Sequence, residues 1–296
     1  MKRLLLLLLL LIPSVASAQF TPLDLPDVRF YLPTSNLSRM EVSAGVEPTA
    51  AGDQILTFNA YGSAALVLTA PAAGNRPFLR SEATHLGALD FLNSTADRYM
   101  TADASAAADL KFLHGGTTGY IVLWVKADNA TAAVSECIFD TRDMSTTNHG
   151  FSLNRATSER YLFNISTGAS AANILHTTIY ADTNWHSIII TIATGTGTVT
   201  MSTDGGAAQT SNFTVTSAND CSFPLRLGSK AGTQANIANT RIAEMVIGAG
   251  TLTAQNKTDW LAYNPALFTE PDPPAGTSPN KIGIGVGIGV AQLEKN

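Results

Sequence analysis

Tyr120-Ile121-Val122-Leu123-Trp124-Val125-Lys126 and Asn184-Trp185-His186-Ser187-Ile188-Ile189-Ile190 are the stretches on which the reading of this chain turns. Each is a short apolar run rich in β-branched residues and bounded by turn formers, the pattern of a strand. Working outward, similar runs recur at short intervals: Ala88 to Phe91, Cys137 to Phe139, Phe151 to Leu153, Tyr161 to Ile165, Thr198 to Ser202, Leu225 to Leu227 and Ile242 to Ile247. Asp204-Gly205-Gly206 is a tight-turn sequence, because glycine tolerates positive φ. Long amphipathic helices are missing; Thr253 is placed to cap one short helix over Ala254 to Tyr263. The pattern predicts an all-β fold, two antiparallel sheets packed as a sandwich, with Trp124 and Trp185 between the sheets.

Around this region, 86–265, lie four other segments. Met1-Lys2-Arg3, the apolar run Leu4 to Ile12, Pro13 and Ala16-Ser17-Ala18 read as a signal peptide over 1–18 and predict a secreted chain. The apolar run is about half of the ~20 residues that span a bilayer, against a membrane anchor. Residues 19–85 read as a lead-in packed on the sandwich, with strand-like runs at Gln54 to Phe58 and Ala65 to Leu68. A Pro-rich linker follows over 266–281, then a tail over 282–296 in which Ile or Val alternates with Gly from Ile282 to Val290. That tail reads either as a free end or as a strand that joins another sheet edge and supports self-assembly.

The bulk composition narrows the partners. The chain has 296 residues, 45% hydrophobic and 14% charged, with a formal net charge of −5. Losing Lys2 and Arg3 takes that to −7, and no Lys/Arg cluster remains to meet phosphates, which excludes nucleic acid. Cys137 and Cys221 can join as a disulfide outside the cell; the alternative is two separate buried thiols.

The ordered series of segments resembles the laminin-G-like branch of the concanavalin A-like lectin/glucanase superfamily. Gly87-Ala88-Leu89-Asp90-Phe91 with Asp97-Arg98-Tyr99-Met100 resembles its opening strand pair, and Tyr120 to Lys126 its strand with a tryptophan. Trp185-His186-Ser187-Ile188, Asp204-Gly205, Leu225-Arg226-Leu227-Gly228 and Ile242 to Ile247 follow in the family's order. Ile237-Ala238-Asn239-Thr240 departs from the Phe-x-Gly that often precedes the closing strand. The resemblance implies a jelly-roll sandwich that binds glycan or a cell-surface ligand in adhesion, with calcium as a cofactor where Asp and carbonyl oxygens converge.

For catalysis, glucanase relatives carry carboxylates two residues apart on one strand. The sandwich strands contain no such pair; Glu270 and Asp272 flank Pro271 in the linker, and Glu136 and Glu244 stand alone. No Gly-x-Ser-x-Gly elbow is present, and His85, His114, His149, His176 and His186 lack metal spacing. The reading is therefore a binding protein, not an enzyme. The candidate site is the polar loop that carries Asp140, Arg142, Asp143, Asn148 and His149, with Asp140 or Asp143 available to a metal; its plainer alternative is a solvated loop with a local Asp–Arg pair. A different class of function remains beside this one: a structural or appendage protein that uses the sandwich as a block and the tail for assembly. Sequons stand at Asn36, Asn93, Asn129, Asn164, Asn212 and Asn256.

Overall fold

The computed structural model describes residues 20–263 apart from 82–86, 92–96, 144–146, 169, 194, 215–218 and 233–237. The signal segment, the linker and the Gly-alternating tail read from the sequence lie outside the described residues, as do His85 and Asn93.

In chain order the strands are β1 (Val28–Pro33), β2 (Met40–Glu41), β3 (Thr57–Asn59), β4 (Val67–Thr69), β5 (Phe78–Arg80), β6 (Ala88–Asp90) and β7 (Met100–Ala102). One turn of helix, α1 (Ala106–Asp109), precedes β8 (Gly119–Ala127), β9 (Glu136–Asp140), β10 (His149–Arg155), β11 (Tyr161–Thr167) and β12 (Ala171–Leu175). Then come β13 (Trp185–Ala193), β14 (Thr198–Thr203), β15 (Gln209–Asn212), β16 (Arg226–Leu227), β17 (Thr240–Ala249) and α2 (Ala254–Ala262). They form two antiparallel sheets. The first runs β15-β14-β13-β8-β17-β6-β5, with β1 also on β17; the second runs β12-β11-β10-β9-β16-β7-β4-β3-β2. The all-β sandwich read from the sequence is the observed fold, and the segment expected to pack on it as a lead-in instead supplies strands to both sheets.

Alternation places the core. Ile121, Leu123 and Val125 of β8 face Phe139, Phe151, Phe163, Ile188 and Ile190 in one buried cluster between the sheets. Tyr120, Val122 and Trp124 point to the other face, under α2, where they pack with Trp260, Tyr263 and Leu252. This corrects the sequence reading of the tryptophans. Trp124 is one residue out of phase with the inward set and lies 6.5 Å, ring to ring, from Trp260. Trp185 is likewise half-buried on the outside, with Lys126 over its ring at 5.9 Å. The buried tryptophan is Trp260, fully covered, its Nε1 donating to Ser187 Oγ at 2.9 Å. The helix that carries it starts as expected: Thr253 Oγ1 accepts from Asn256 N at 3.0 Å.

The expected disulfide is not formed: both cysteines are free and buried. The sheet lies between them. Cys221 packs into the inner core, whereas Cys137 pairs with Asn154 in register and sits near Asp140, Arg142 and Arg226 on the outer face.

Two ends of the sandwich gather loops. One, the histidine end, holds the β9–β10 connection with His149, the segment before β8 with His114, and residues 219–223. The other, the arginine end, holds Arg155 at the end of β10, residues 128–135, and the 176–184 loop.

Candidate functional site

At the histidine end Asp140 closes β9 and is fully buried. Its Oδ1 accepts from Arg142 N at 3.0 Å and its Oδ2 from Ala231 N at 3.1 Å. Burial pushes its pKa up to about 6, against the pull of those two N–H groups. Arg142 is buried too, its Nε 3.4 Å from Ser152 Oγ. Its main-chain oxygen accepts from Asn148 Nδ2 at 2.8 Å, which folds the loop back on itself. Thr141 Oγ1 takes Phe151 N at 2.8 Å. Gly150, at φ +128°, lies so close that a Cβ there would meet Thr141 Oγ1 at 2.3 Å, so no larger residue fits.

A second segment is laced to this one. Ser222 N donates to His149 O at 2.9 Å and Phe223 N to Thr141 O at 3.0 Å. His149 N donates to Ser222 Oγ at 2.8 Å. Asn219 joins the two histidines: its Nδ2 donates to His149 Nε2 at 3.1 Å, and its carbonyl lies 2.9 Å from His114 Nε2. His114 is buried, and burial pulls its pKa down. Lys111 pairs with Asp220 at 3.0 Å. The rim so built presents Asp143, Thr147, Asn148, His149, Asn219 and Asp220, all half-buried or exposed.

The five residues singled out in the sequence thus divide. Asp143, Asn148 and His149 reach the rim; Asp140 and Arg142 hold the backbone beneath it. Each Asp140 oxygen accepts one backbone N–H. Among the described residues no three of His, Cys, Asp and Glu gather at metal-binding range.

Sequence reasoning missed a row that only strand register assembles. Thr57, Thr69, Thr101, Arg226, Asp140, Ser152, Asn164 and Asn173 are paired strand to strand across the second sheet. Their neighbours Phe58, Leu68, Met100, Leu227, Phe139, Leu153, Phe163 and Ile174 fill the inner core, so the row faces outward. Seven steps of ~4.8 Å give it a span of about 34 Å. Its middle, Asp140 and Ser152, is buried beneath Arg142 and the Lys230–Ala231 turn, while Thr69 and Asn173 are exposed. Arg226 links the halves: Nε donates to Thr101 Oγ1 at 3.2 Å, and its guanidinium lies 4.6 Å from the Tyr99 ring centre. The signal in the sequence was the alternation Phe151-Ser152-Leu153-Asn154.

Carboxylates also meet at the arginine end. Arg155 Nη2 lies 2.6 Å from Glu159 and its Nη1 3.4 Å from Glu136. Arg241 Nε lies 2.7 Å from Asp128 and 3.9 Å from Asp90, which also pairs with Arg80 at 2.6 Å. Burial, and Asp90 beside it, push Asp128 up to about 7.

A protein-family model described as the concanavalin A-like lectin/glucanases superfamily matches residues 95–256. A search of curated proteins finds no match. Among solved structures, the binding domain of botulinum neurotoxin serotype D/C is similar at 15% identity and a TM-score of 0.46, over 66% of this chain and 49% of that one. The binding domain of botulinum neurotoxin DC in complex with rat synaptotagmin II is similar at 14% identity and a TM-score of 0.47, over 71% and 50%. This chain spans about half the length of those two. A sialidase CBM40 of Ruminococcus gnavus, bound to α2,3-sialyllactose, is similar at 12% identity and a TM-score of 0.44, over 59% and 94%.

Proposed function

The chain belongs to the concanavalin A-like lectin/glucanases superfamily, and on that premise we propose that it is a secreted, non-catalytic binding module whose histidine-end rim takes a carbohydrate or another cell-surface ligand in adhesion. One observation carries the reading. Separate segments converge on the rim and offer Asp143, Asn148, His149 and Asn219 from a base fixed by Asp140 and Arg142. Donors and acceptors held in place before a ligand arrives lose little freedom on binding, which favours affinity. Mixed acceptors and donors with an imidazole suit the hydroxyl groups of a sugar.

A non-catalytic role has its own support. A glycosidase needs two carboxylates open to substrate. At the arginine end Asp90, Asp128, Glu136 and Glu159 are buried or nearly so and paired to Arg80, Arg155 and Arg241, and the more open Asp182 and Asp204 are both engaged by His186. The apolar leader over 1–18 supports secretion. Among the described residues no helix is long and apolar enough to cross a membrane.

The test is a glycan array probed with the chain, followed by titration of any hit against the His149→Ala/Asn219→Ala double variant. Saturable binding to a defined glycan is expected, with Kd about tenfold weaker in the variant, roughly 1.4 kcal/mol. No saturable binding to any glycan, or a hit that the variant binds equally well, sinks the assignment.

A further inference from the structure

His186 is the one described side chain whose two ring nitrogens each face a carboxylate. Nδ1 lies 2.7 Å from Asp204 Oδ2 and Nε2 lies 3.0 Å from Asp182 Oδ1. The ring is nearly buried at the arginine end, edge-on to Tyr180 at 4.7 Å and to Tyr161 at 6.2 Å. A carboxylate can only accept, so only an imidazolium, with two N–H groups, satisfies both partners.

The two partners are held differently. Asp204 is built into the β13–β14 pair: its Oδ1 accepts from Ser187 N and its own N donates to Ser187 O, each at 2.8 Å. Asp182 belongs to the 176–184 loop, and its Oδ1 otherwise accepts only locally, from Asn184 N at 2.8 Å. A neutral ring keeps its proton toward the fixed carboxylate, Asp204, and turns a lone pair on Asp182.

We propose that His186 is a proton-operated latch on the 176–184 loop, closed when the imidazolium donates to Asp182 and Asp204 and released when Nε2 gives its proton to solvent. The loop carries Ile179, 56% exposed, and Tyr180, whose N donates to Glu159 O at 2.7 Å. Release therefore loosens an apolar segment at the arginine end. The other groups around the ring do not blur the signal. Burial opposes the charged ring, but the two carboxylates outweigh it and leave the His186 pKa raised. His176, whose Nδ1 lies 3.1 Å from Tyr180 Oη, is held below the ordinary histidine value by burial and titrates at lower pH. Burial raises Tyr161 and Tyr180, which keep their protons through this range. Arg155 reaches Tyr180 O at 3.5 Å. On the other side, Val125 is the residue in register, and Lys126 lies over Trp185 on the outer face.

The test is histidine titration by NMR on the whole chain, together with hydrogen exchange of the Tyr180 amide from pH 5.5 to 9, corrected for intrinsic base catalysis. His186 is expected to titrate above a free histidine. Protection of Tyr180 is expected to fall as it does so, about tenfold for each unit of that elevation. Asp182→Asn is expected to abolish the pH dependence while the loop stays protected, because an amide can accept from Nε2–H or donate to its lone pair. Tyr180 exchange that ignores the His186 titration overturns the latch, as does an Asp182→Asn variant with unchanged pH dependence.

Discussion

The two ends of the sandwich use polar groups in opposite ways. At the arginine end, charge is taken inside. Arg155 is 1% exposed and reaches Glu136, Glu159, Asn129 and the Ala130 carbonyl. Arg241 lies between Asp90 and Asp128. At the histidine end Asp140 spends its oxygens on two backbone N–H groups and Thr141 its hydroxyl on Phe151 N, while Arg142 reaches the Ser152 hydroxyl. Their polar neighbours are left facing outward. Ion pairs stitch one end shut from side chain to side chain, while the other is a scaffold for exposed donors and acceptors. A fold of this class has two loop clusters; here one is closed by ion pairs, and on the proposed function the other is available for recognition.

If that division is right, perturbing the arginine end changes stability and little else. Arg155→Met strands Glu136 and Glu159, and urea unfolding at pH 7.5 should show a loss of 3–5 kcal/mol, about what an uncompensated buried charge costs. A loss under about 1 kcal/mol would mean that the network is slack and the contrast between the ends false. Asp128→Asn sharpens the contrast from the other side. Asp128 ion-pairs with Arg241 through Oδ1, while Oδ2 has no donor. Its folded pKa, about 7, lies above the unfolded value near 4, so the neutral form is favoured in the fold and stability falls as pH rises from about 4 through 7. An amide faces Arg241 with oxygen and Asp90 with N–H. The variant should gain roughly 2 kcal/mol above pH 7 and lose that part of the pH dependence, read from unfolding midpoints between pH 4 and 8. The smallest expected effect is none. With both cysteines free, dithiothreitol should leave the unfolding midpoint of the purified chain where it was. A shift of several degrees would mean that a covalent link, not hydrogen bonding alone, closes the loops around Cys221.

The strands with long apolar runs, as in β8, β13 and β17, are legible in the sequence, as is the helix whose start Thr253 caps. The sequence also located the turn at Asp204 and Gly205, both at positive φ as that turn requires. It did not show β12 or β15: Ala171-Ala172-Asn173-Ile174-Leu175 and Gln209-Thr210-Ser211-Asn212 are outer strands whose polar, small residues need no core partner. For the candidate site, it singled out a loop of which Asp143, Asn148 and His149 reach the surface while Asp140 and Arg142 lie beneath it. Asp140 and Arg142 look like ligands in one dimension because charge in a loop usually faces water, yet both are buried.

What the chain settles by itself is therefore periodic: which long apolar segments are strands, that they alternate, and that they stack as two sheets, because a period of two is written in every second neighbour's hydrophobicity. What only the tertiary structure decides is phase and company. Whether Trp124 faces the core or α2 depends on a one-residue register. Whether Cys137 can meet Cys221 depends on which face each occupies. That Asn219 joins His114 to His149 depends on loops far apart in sequence being brought to one end, and that Asp182 and Asp204 share His186 depends on how the chain folds on either side of β13. Local chemistry repeats along a chain and can be read there, whereas contacts between distant segments exist only once the sheets have closed.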